Sequence, residues 1–245
     1  MFVIPMAGLS SRFFKAGYVK PKYQLLLPNK LTMFEWAVKS FEEYFKSDSF
    51  IFIIRNVYET KEFVEKMCLK LGILNFNIIV LNNETRGQAD TVYLGLKDIE
   101  NKIDISSEEL YIFNIDSYRH HFRKPDISKK CDGYLEVFEG EGDHWSFIEI
   151  NDKGSVIRTT EKERISNLCS DGLYYFKSVK QYFNLVEKGV EQKKFVKGEL
   201  YIAPLYNLLI QDGCDIKYDL IDRANIEFCG TPAEFMDISS KILGQ

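Results

Sequence analysis

The chain has 245 residues, 45% of them hydrophobic, and a formal net charge of −4 at pH 7. That size supports a full hydrophobic core, and we expect one large α/β domain over two small ones. Lysine and arginine are scattered along the chain and form no basic block, so nucleic acid is not expected as a partner. No apolar stretch approaches the length of a signal sequence or a membrane span, which predicts a cytoplasmic protein with no membrane partner.

The cysteines and histidines lack the spacing of a metal knuckle or a disulfide framework. The five cysteines are odd in number and widely spaced, so reduced thiols are expected. The three histidines lack the spacing of a zinc-binding helix, and we expect them to be structural or solvated.

The first half of the chain alternates strand patterns with helix patterns. Short continuous apolar runs predict buried parallel strands at residues 2–4, 50–54, 77–81 and 110–115. Thr32 and Glu35 form a capping-box signature, and apolar residues then recur at helical spacing up to Phe45. A second helix pattern ends at Gly72, and a third begins with residues 89–96. The order is therefore β-α-β-α-β-α-β.

The second half has shorter, turn-separated strand patterns that indicate an extension of the same sheet. These strands are predicted at residues 133–138, 145–150, 155–159 and 173–176. Ligands of open α/β sheets bind beyond the carboxyl ends of the strands, which directs attention to the loops after Ile4, Leu81 and Ile115.

Small residues follow the first predicted strand and lead to an arginine. The loop contains, in order, Ala7, Gly8, Leu9, Ser10, Ser11 and Arg12. Small residues after a strand let backbone N–H groups approach phosphate oxygens, and Arg12 adds a charged fork. Further along, Lys20 and Lys22 flank Pro21, whose ring fixes the backbone direction. The pattern favours a triphosphate site; the alternative is that Gly8 only makes a turn and the cations lie in solvent.

This opening resembles the G-x-G-[ST]-R…P-K signature of the sugar-phosphate nucleotidylyltransferases and of their relatives, the phosphocholine cytidylyltransferases. Further segments that resemble the family follow in the family's order, at residues 84–92, 114–116, 161–162, 166–167, 172–176, 198–199 and 230–232. The resemblance spans nearly the whole chain, from residue 3 to about residue 232. The opening is most like the I-P-M-A-G-x-x-S-R-F of the capsule and surface-polysaccharide branch.

The resemblance implies an α/β, Rossmann-like three-layer nucleotidyltransferase fold with a mixed, mostly parallel central sheet. It implies a single domain over residues 1–245, with a nucleotide-binding half of about 1–120 and an acceptor-binding half of about 121–245. The implied reaction transfers a nucleoside monophosphate from a nucleoside triphosphate, CTP being slightly favoured, to a phosphorylated small molecule and releases pyrophosphate. An amino-acid amide phosphate or a sugar 1-phosphate is the implied acceptor, capsule biosynthesis the setting and Mg²⁺ the cofactor, and a homo-oligomer is compatible with the pattern.

The resemblance also assigns roles to single residues. Its catalytic residues are Arg12, Lys22 and Asp116, and Asp116 is also the metal ligand. Its nucleotide-binding residues are Ala7, Gly8, Leu9, Ser10, Ser11, Gln88 and Ala89. Its acceptor-binding residues are Glu161, Lys162, Gly172 and Glu199. An acceptor phosphate with a second pKa of about 6 is already a dianionic nucleophile at neutral pH, so no general base is required.

Two departures from the family's pattern concern the substrate loops. Ser10 replaces the second glycine of the first loop, which leaves less room for a phosphate, although a hydroxyl group can donate to it. Glu163 replaces the proline that follows Glu161 and Lys162 in the family, and a carboxylate there predicts pairing with an ammonium-bearing acceptor.

A third departure concerns the metal. Phe228 stands where the family's D-x-G-T motif has a second metal carboxylate. Glu227 or Asp222 is the expected substitute, with Asp219 as a further candidate. Alternatively, one carboxylate and the substrate phosphates hold the ion, as is common for magnesium.

Two other functions fit parts of the pattern. A nucleotide-sugar-dependent glycosyltransferase shares the architecture but requires a D-x-D pair of metal-binding aspartates. The chain lacks the second aspartate, because Tyr118 stands two residues after Asp116. A catalytically silent nucleotide-sensing subunit would explain Phe228, but the presence of both Arg12 and Asp116 argues against it.

Overall fold

The computed structural model describes residues Met1–Gly244, which form seven α-helices and eleven β-strands. The strands are β1 (Phe2–Met6), β2 (Ser49–Ile54), β3 (Asn75–Val80), β4 (Leu110–Ile112), β5 (Ser117–Arg119), β6 (Gly133–Glu139), β7 (Ser146–Ile150), β8 (Val156–Glu161), β9 (Leu168–Phe176), β10 (Ile216–Ile221) and β11 (Ile226–Phe228). The helices are α1 (Ser11–Lys15), α2 (Met33–Val38), α3 (Thr60–Leu71), α4 (Gln88–Glu100), α5 (Val179–Glu191), α6 (Tyr206–Gln211) and α7 (Pro232–Leu243). None of the helices in this range combines the length and apolar character needed to cross a bilayer.

The chain divides into two compact units, each built from separate stretches. The first unit contains Met1–Val3, Glu84–Phe113 and Arg123–Arg223. The second unit contains Ile4–Asn83, Asn114–Phe122 and Ala224–Gln245. The expected single domain, with halves that meet near residue 120, stays a prediction.

The first unit holds most of a mixed sheet in the order β10-β6-β9-β4-β1, and β1 belongs to this unit only as far as Val3. The pairs β4–β1 and β10–β6 are parallel, whereas β9 runs antiparallel to both β4 and β6. Four of these five strands therefore run in one direction, and the predicted α/β class with a mixed, mostly parallel sheet is confirmed. The second half of the chain extends the sheet, as the sequence predicts: β9 pairs with β4, β6 and β7 pair with β9, and β10 pairs with β6.

The second unit contains parallel β2 and β3 and a small antiparallel pair of β5 and β11. The small pair is not apparent in the sequence, because each strand has only three residues. The prediction of one strand over 110–115 was too long, because the strand ends at Ile112. The chain turns at Ile115 and Asp116 before β5 begins.

Helix boundaries follow the local signals, with one exception. Thr32 and Glu35 form the predicted capping box at α2, and Gly72 ends α3 in left-handed geometry at φ 73°. The helix predicted to reach Phe45 ends at Val38 and continues as a 3₁₀ segment. Phe41, inside that 3₁₀ segment, has a non-helical φ of −114°, so the helix pattern up to Phe45 is not one continuous helix.

Candidate active site

The loop between β1 and α1 contains one residue in left-handed backbone geometry. Ser10 has φ 52° and ψ 29°, a conformation that costs a non-glycine residue roughly 1–2 kcal/mol. A glycine therefore suits this position, and the serine offsets part of the cost through its side chain. Its Oγ accepts a hydrogen bond from the Lys22 amide at 3.2 Å. Gly8 and Leu9 are exposed, and within residues 1–244 their amides have no acceptor.

Lys22 and Asp116 form an ion pair in the second unit. Lys22 Nζ lies 2.5 Å from Asp116 Oδ2, and the two side chains are 19% and 25% exposed. The residues are 94 positions apart, and the structure brings these two predicted catalytic residues together. Pro21, with φ −56°, directs the chain into the 3₁₀ turn that carries Lys22. Lys20, the other predicted cation of this segment, is exposed.

The Asp116 carboxylate lies beside a glycine that leaves space for it. The Asp116 carbonyl accepts a hydrogen bond from the Cys229 amide at 2.7 Å. A Cβ on Gly230 would lie 3.0 Å from Asp116 Oδ2 and 3.7 Å from Glu234 Oε2. Glu234 is a second carboxylate here that sequence reasoning missed. The sequence did contain one signal for Glu234, its capping-box spacing from Thr231. Both hydrogen bonds of that capping box are present at the start of α7.

None of the residues expected to supply a second metal ligand has a recorded contact with the Asp116 carboxylate in residues 1–244. Glu227 Oε2 is 3.7 Å from His120 Nε2, and its Oε1 is 4.0 Å from Lys241 Nζ. Asp219 lies on β10, and Asp222 follows that strand, both in the first unit. Across residues 1–244, no three histidine, cysteine, aspartate or glutamate side chains are grouped so that they could hold a metal ion. The identity of the second ligand stays a prediction.

Arg12 lies on α1 with an exposed side chain. In the described part of the chain its guanidinium has neither a hydrogen-bond nor an ion-pair partner. Ser11, directly before it, is exposed as well, and Ala7 is half-buried at the end of β1. Arg12 is therefore a solvated cation that a ligand can recruit without breaking an existing bond.

In the first unit, the turn before α4 packs against a backbone segment near Glu199. Gly87, at φ 126°, precedes α4, and a Cβ there would lie 2.7 Å from both the N and the O of Leu200. Two hydrogen bonds create this approach. The Leu200 amide donates to the Arg86 carbonyl at 2.6 Å, and the Ala89 amide donates to the Leu200 carbonyl at 3.0 Å.

This pairing places two predicted nucleotide-binding residues, Gln88 and Ala89, next to the predicted acceptor-binding residue Glu199. Gln88 is half-buried at the start of α4, and Glu199 immediately precedes Leu200. Ala89 is fully buried, and its carbonyl accepts a hydrogen bond from the Tyr182 hydroxyl at 2.9 Å. Ala89 can therefore act on a nucleotide only by spacing its neighbours, because both of its backbone groups already have partners.

Glu199 is presented by a two-residue turn. Val196 and Glu199 exchange backbone hydrogen bonds of 2.9 and 3.0 Å around Lys197 and Gly198. The two central residues have φ values of 50° and 85°, as in a type I′ turn, for which glycine is favoured. The Gly198-Glu199 pair of the sequence is thus a turn that fixes the position of the carboxylate.

A charged cluster lies at the end of β8, and we call it the Glu161 cluster. It consists of Glu161, Lys162, Ser146, Glu199 and Tyr201. The Glu161 side chain is 7% exposed and accepts a hydrogen bond from the Ser146 hydroxyl. Lys162 Nζ is 3.6 Å from Glu161 Oε1 and donates to the Tyr201 hydroxyl at 2.6 Å. Sequence reasoning missed Ser146 and Tyr201, and only the nearness of Tyr201 to Glu199 in the chain hinted at a role.

Two unusual backbone conformations accompany the cluster. Lys162 has φ 55°, which is uncommon for a residue with a side chain and is typical of functional sites. Gly172 has φ 95° in β9, where the register against β6 shifts between Leu135 and Val137. Such a bulge re-aims the neighbouring side chains. Gly172 thus supplies backbone geometry, and its acceptor-binding role stays a prediction.

The cluster shifts the pKa values of its ionisable groups. Burial raises the pKa of Glu161, and the Glu199 carboxylate acts in the same direction, while Ser146 and Lys162 oppose the change. Burial also acts to lower the pKa of Lys162, but the hydrogen bond with Tyr201 and the two carboxylates outweigh it, so that pKa is raised. Lys162 is therefore a cation at neutral pH, beside a carboxylate whose charged form is disfavoured.

We expect Glu161→Gln to raise the free energy of unfolding at pH 7 relative to the wild type, and to change it little at pH 4. A raised folded-state pKa gives stability that is full below the ordinary glutamate pKa and is lost as pH rises through the folded-state value. Glutamine stays neutral and avoids that loss. Urea denaturation at both pH values measures the difference, with the exposed Glu191→Gln as control. Equal stability of variant and wild type at pH 7 would contradict the expectation.

Glu163 already has a cation partner. Its Oε1 lies 3.2 Å from Arg158 Nη2, and its side chain is 68% exposed. An acceptor ammonium would have to compete with that bridge. The exposed Glu199, whose carboxylate has no such bridge in residues 1–244, is an alternative anion for the same purpose.

Comparison with solved structures identifies the relatives of the chain. The crystal structure of the nucleoside-diphosphate-sugar pyrophosphorylase from Vibrio cholerae RC9 is 50% identical over 98% of this chain and 100% of its own, with a TM-score of 0.94. The chain belongs to the nucleoside-diphosphate-sugar pyrophosphorylase family. The predicted assignment to nucleotidyltransferases is thereby confirmed, whereas the capsule branch stays a prediction.

More distant members of the structural class share the pyrophosphorylase fold. UDP-glucose pyrophosphorylase complexed with UDP-glucose is 16% identical, covers 99% of this chain and 98% of its own, and gives a TM-score of 0.73. The inositol-1-phosphate CTP transferase from T. maritima is 14% identical, covers 98% and 95%, and gives a TM-score of 0.72. No protein-family model and no curated protein matches the chain. These two structures show the Rossmann-like nucleotidyltransferase fold alone.

Proposed function

We propose that this family member transfers a nucleoside monophosphate from a nucleoside triphosphate, with CTP preferred, to a phosphorylated small molecule and releases pyrophosphate. The observation that carries the proposal is the Lys22–Asp116 ion pair, fixed through Ser10 to the glycine loop. It joins a cation, a carboxylate and a loop with open amides in one unit. This combination suits phosphoryl chemistry, in which positioning and charge stabilisation supply most of the catalysis.

The chain's own residues divide the work as follows. Lys22 contacts the α-phosphate or the incoming phosphate, since its ammonium already lies at the carboxylate. Arg12 holds the β- and γ-phosphates of the leaving pyrophosphate, and its lack of a protein partner in residues 1–244 supports this role. Lys162 holds the acceptor phosphate, which is itself the nucleophile. No histidine is needed as a base.

Asp116 fits the magnesium ion that such a reaction requires. Its Oδ2 is paired with Lys22, and its Oδ1 has no hydrogen-bond or ion-pair partner in the described chain. Magnesium is commonly bound through one or two carboxylates together with substrate phosphates. When bound, the ion supplies charge neutralisation at the phosphates. Glu234 is a further candidate for the second carboxylate, because it shares the space beside Gly230 with Asp116.

The Glu161 cluster is the proposed acceptor site. Its cation suits the acceptor phosphate, and its two carboxylates suit either sugar hydroxyls or an ammonium group. The name of the Vibrio cholerae relative supports a sugar 1-phosphate. The capsule-type opening of the chain supports CTP and an amino-acid amide phosphate such as phosphoglutamine, in a capsule-building pathway.

A substrate panel tests the proposed function. Each common nucleoside triphosphate is combined with sugar 1-phosphates, phosphocholine and amino-acid amide phosphates, and pyrophosphate release is measured with magnesium present. Turnover with CTP and a phosphorylated acceptor is the expected result. Turnover of hexose 1-phosphates only, with UTP or dTTP, would overturn both the base and the acceptor. Absence of pyrophosphate with every pair would favour a glycosyltransferase or a silent nucleotide-sensing subunit.

Arg12→Ala is expected to lower kcat/KM for the triphosphate by about a hundredfold, because a preorganised cation is lost from the leaving group. The fold should be unaffected, since the exposed guanidinium has no partner in residues 1–244. Initial rates of pyrophosphate release at varied triphosphate give the result. Lys15→Ala, an exposed cation on the same helix, is the control. An unchanged kcat/KM would show that the glycine loop is only a turn.

A further inference from the structure

The helix that carries Arg12 is too short to be stable by itself. Helix α1 has only five residues, and its N-cap Ser10 lies in left-handed geometry and makes no side-chain capping hydrogen bond. Isolated helices shorter than about 12–15 residues are marginal in water. The direction in which α1 presents Arg12 therefore depends on contacts with other parts of the second unit.

Two neighbouring aromatic side chains anchor α1. Phe13 is 1% exposed, and its ring centroid lies 5.4 Å from that of Tyr18 and 6.3 Å from that of Phe235 on α7. Phe14 is half-buried and stacks on Tyr58, with 5.3 Å between the ring centroids and 23° between the ring planes. The first anchor belongs to the core. The second lies at the surface, because the Tyr58 side chain is 55% exposed.

Tyr58 is held in an unfavourable backbone conformation. It lies between β2 and α3, and both Tyr58 and Glu59 have left-handed φ values, 54° and 53°. Such values are uncommon for residues with side chains and are typical of functional sites. Among residues 1–244, Phe14 supplies the one aromatic ring that contacts Tyr58, and the phenol oxygen has no hydrogen-bond partner. A ring that stays mostly exposed gains little from burial, so burial of Tyr58 does not offset the strain.

The backbone of this segment is bonded to the turn that carries Lys22. Gln24 Nε2 donates a hydrogen bond to the Tyr58 carbonyl at 2.9 Å. Next to it, the buried hydroxyl groups of Tyr23 and Thr60 are hydrogen-bonded at 2.9 Å. Lys22, Tyr23 and Gln24 form one 3₁₀ turn. Tyr58 thus contacts α1 with its ring and the turn of Lys22 with its backbone carbonyl.

We propose that Tyr58 is a positioning residue, which holds α1 so that Arg12 keeps a fixed separation from Lys22. In the proposed function, Arg12 holds the pyrophosphate side of the bond that breaks, and Lys22 holds the α-phosphate or the incoming phosphate. A displacement of about 1 Å in such an arrangement can cost about a hundredfold in rate. The claim that Tyr58 fixes α1 stands on the contacts alone, whereas its effect on the triphosphate rests on the function proposed above.

Single variants at Tyr58 test the role in turnover. Tyr58→Ala is expected to lower kcat/KM for the triphosphate at least about tenfold and to leave the KM for the acceptor unchanged, because α1 loses its surface anchor. Tyr58→Phe keeps the stacking ring and should match the wild type. Val57→Ala removes exposed apolar surface from the same segment and is the control. A wild-type kcat/KM in Tyr58→Ala, or an equal loss in Tyr58→Phe, would overturn the proposal.

Double variants test whether Tyr58 acts through α1. Because Arg12→Ala already removes the cation, adding Tyr58→Ala to it should lower kcat/KM for the triphosphate no further. Phe14→Leu keeps an apolar side chain but removes the partner ring, and it should reproduce the loss seen with Tyr58→Ala. The two changes combined should cost no more than either alone. Additive losses in either pair would contradict the proposal, since Tyr58 would then act independently of α1.

Equilibrium binding of inorganic pyrophosphate, measured by calorimetry with magnesium present, needs no turnover. Arg12→Ala and Tyr58→Ala should both weaken it, and Tyr58→Phe should not. Weaker binding in Arg12→Ala alone would overturn the positioning role and leave the proposed function. Binding that neither alanine variant weakens would overturn both. Failure of the substrate panel, with pyrophosphate binding that still depends on Arg12 and Tyr58, would instead sink the proposed reaction and leave the positioning role.

Discussion

Replacing Asp116 with asparagine is expected to lower kcat for pyrophosphate release at least about a hundredfold, because a metal-organising charge is lost from the transition state. The fold should persist, since the asparagine amide oxygen can still accept the Lys22 hydrogen bond and the backbone link to Cys229 is unchanged. The magnesium concentration for half-maximal rate should rise in parallel. Rates at saturating substrates, over a magnesium titration, give both quantities.

Asp237→Asn is the matched control for this experiment. Asp237 is an exposed aspartate on α7 in the same unit, with no partner in residues 1–244, and the substitution removes the same charge. It should leave kcat and the magnesium dependence unchanged. A folded Asp116→Asn enzyme with near wild-type kcat would remove Asp116 from the metal site.

The second large effect is expected at Gly87. Gly87→Ala should destabilise the protein by at least about 3 kcal/mol, because a strained backbone conformation and a backbone clash act together. The φ of 126° with ψ −177° is essentially restricted to glycine. The added Cβ would also lie 2.7 Å from two Leu200 backbone atoms, which have no rotamer by which to move away.

The control for Gly87 is a glycine with milder backbone strain and no clash. Gly213 lies in the same unit at φ 81°, and a Cβ there meets nothing within 4 Å. Gly213→Ala should therefore cost roughly 1–2 kcal/mol from backbone strain alone. Urea denaturation compares the two variants. Equal losses in stability would contradict the expectation for Gly87, which combines a glycine-only conformation with a backbone clash.

The Gly87 variant should also affect both substrates. The two hydrogen bonds to Leu200 hold Gln88 on one side and Glu199 on the other. Displacing Leu200 is therefore expected to raise the KM for triphosphate and for acceptor together. In a variant that is folded at the assay temperature, a change in only one KM would contradict this coupling.

Several features of the fold follow from local sequence alone. Apolar runs located the strands, the Thr32 capping box began α2, and Gly72 ended α3, because these signals act between neighbours in the chain. The prediction that the strand over 77–81 is buried was wrong, since β3 lies at the edge of the sheet and Ile79 is its one buried residue. The ordered motifs resembled those of the nucleotidyltransferases, and the comparison with solved structures confirmed that assignment. Lys22 and Asp116 were predicted as site residues from their positions in the sequence, without any knowledge of their contact.

Tertiary structure decided what those residues touch. Lys22 reaches Asp116 across 94 positions, and Lys162 reaches Tyr201 across 39. Such pairings depend on how distant strands and turns pack, and no local pattern encodes that. For the same reason Glu234 appeared in the sequence only as a helix cap, yet it shares the space beside Gly230 with Asp116.

The tertiary structure also determines the backbone conformation of single residues. Serine at position 10 appeared only as a departure from a glycine motif, whereas the fold holds it in left-handed geometry and binds its hydroxyl to the Lys22 amide. The residue type is set by the sequence. The left-handed backbone conformation of Ser10 costs free energy locally, and only contacts with other parts of the folded chain can offset that cost.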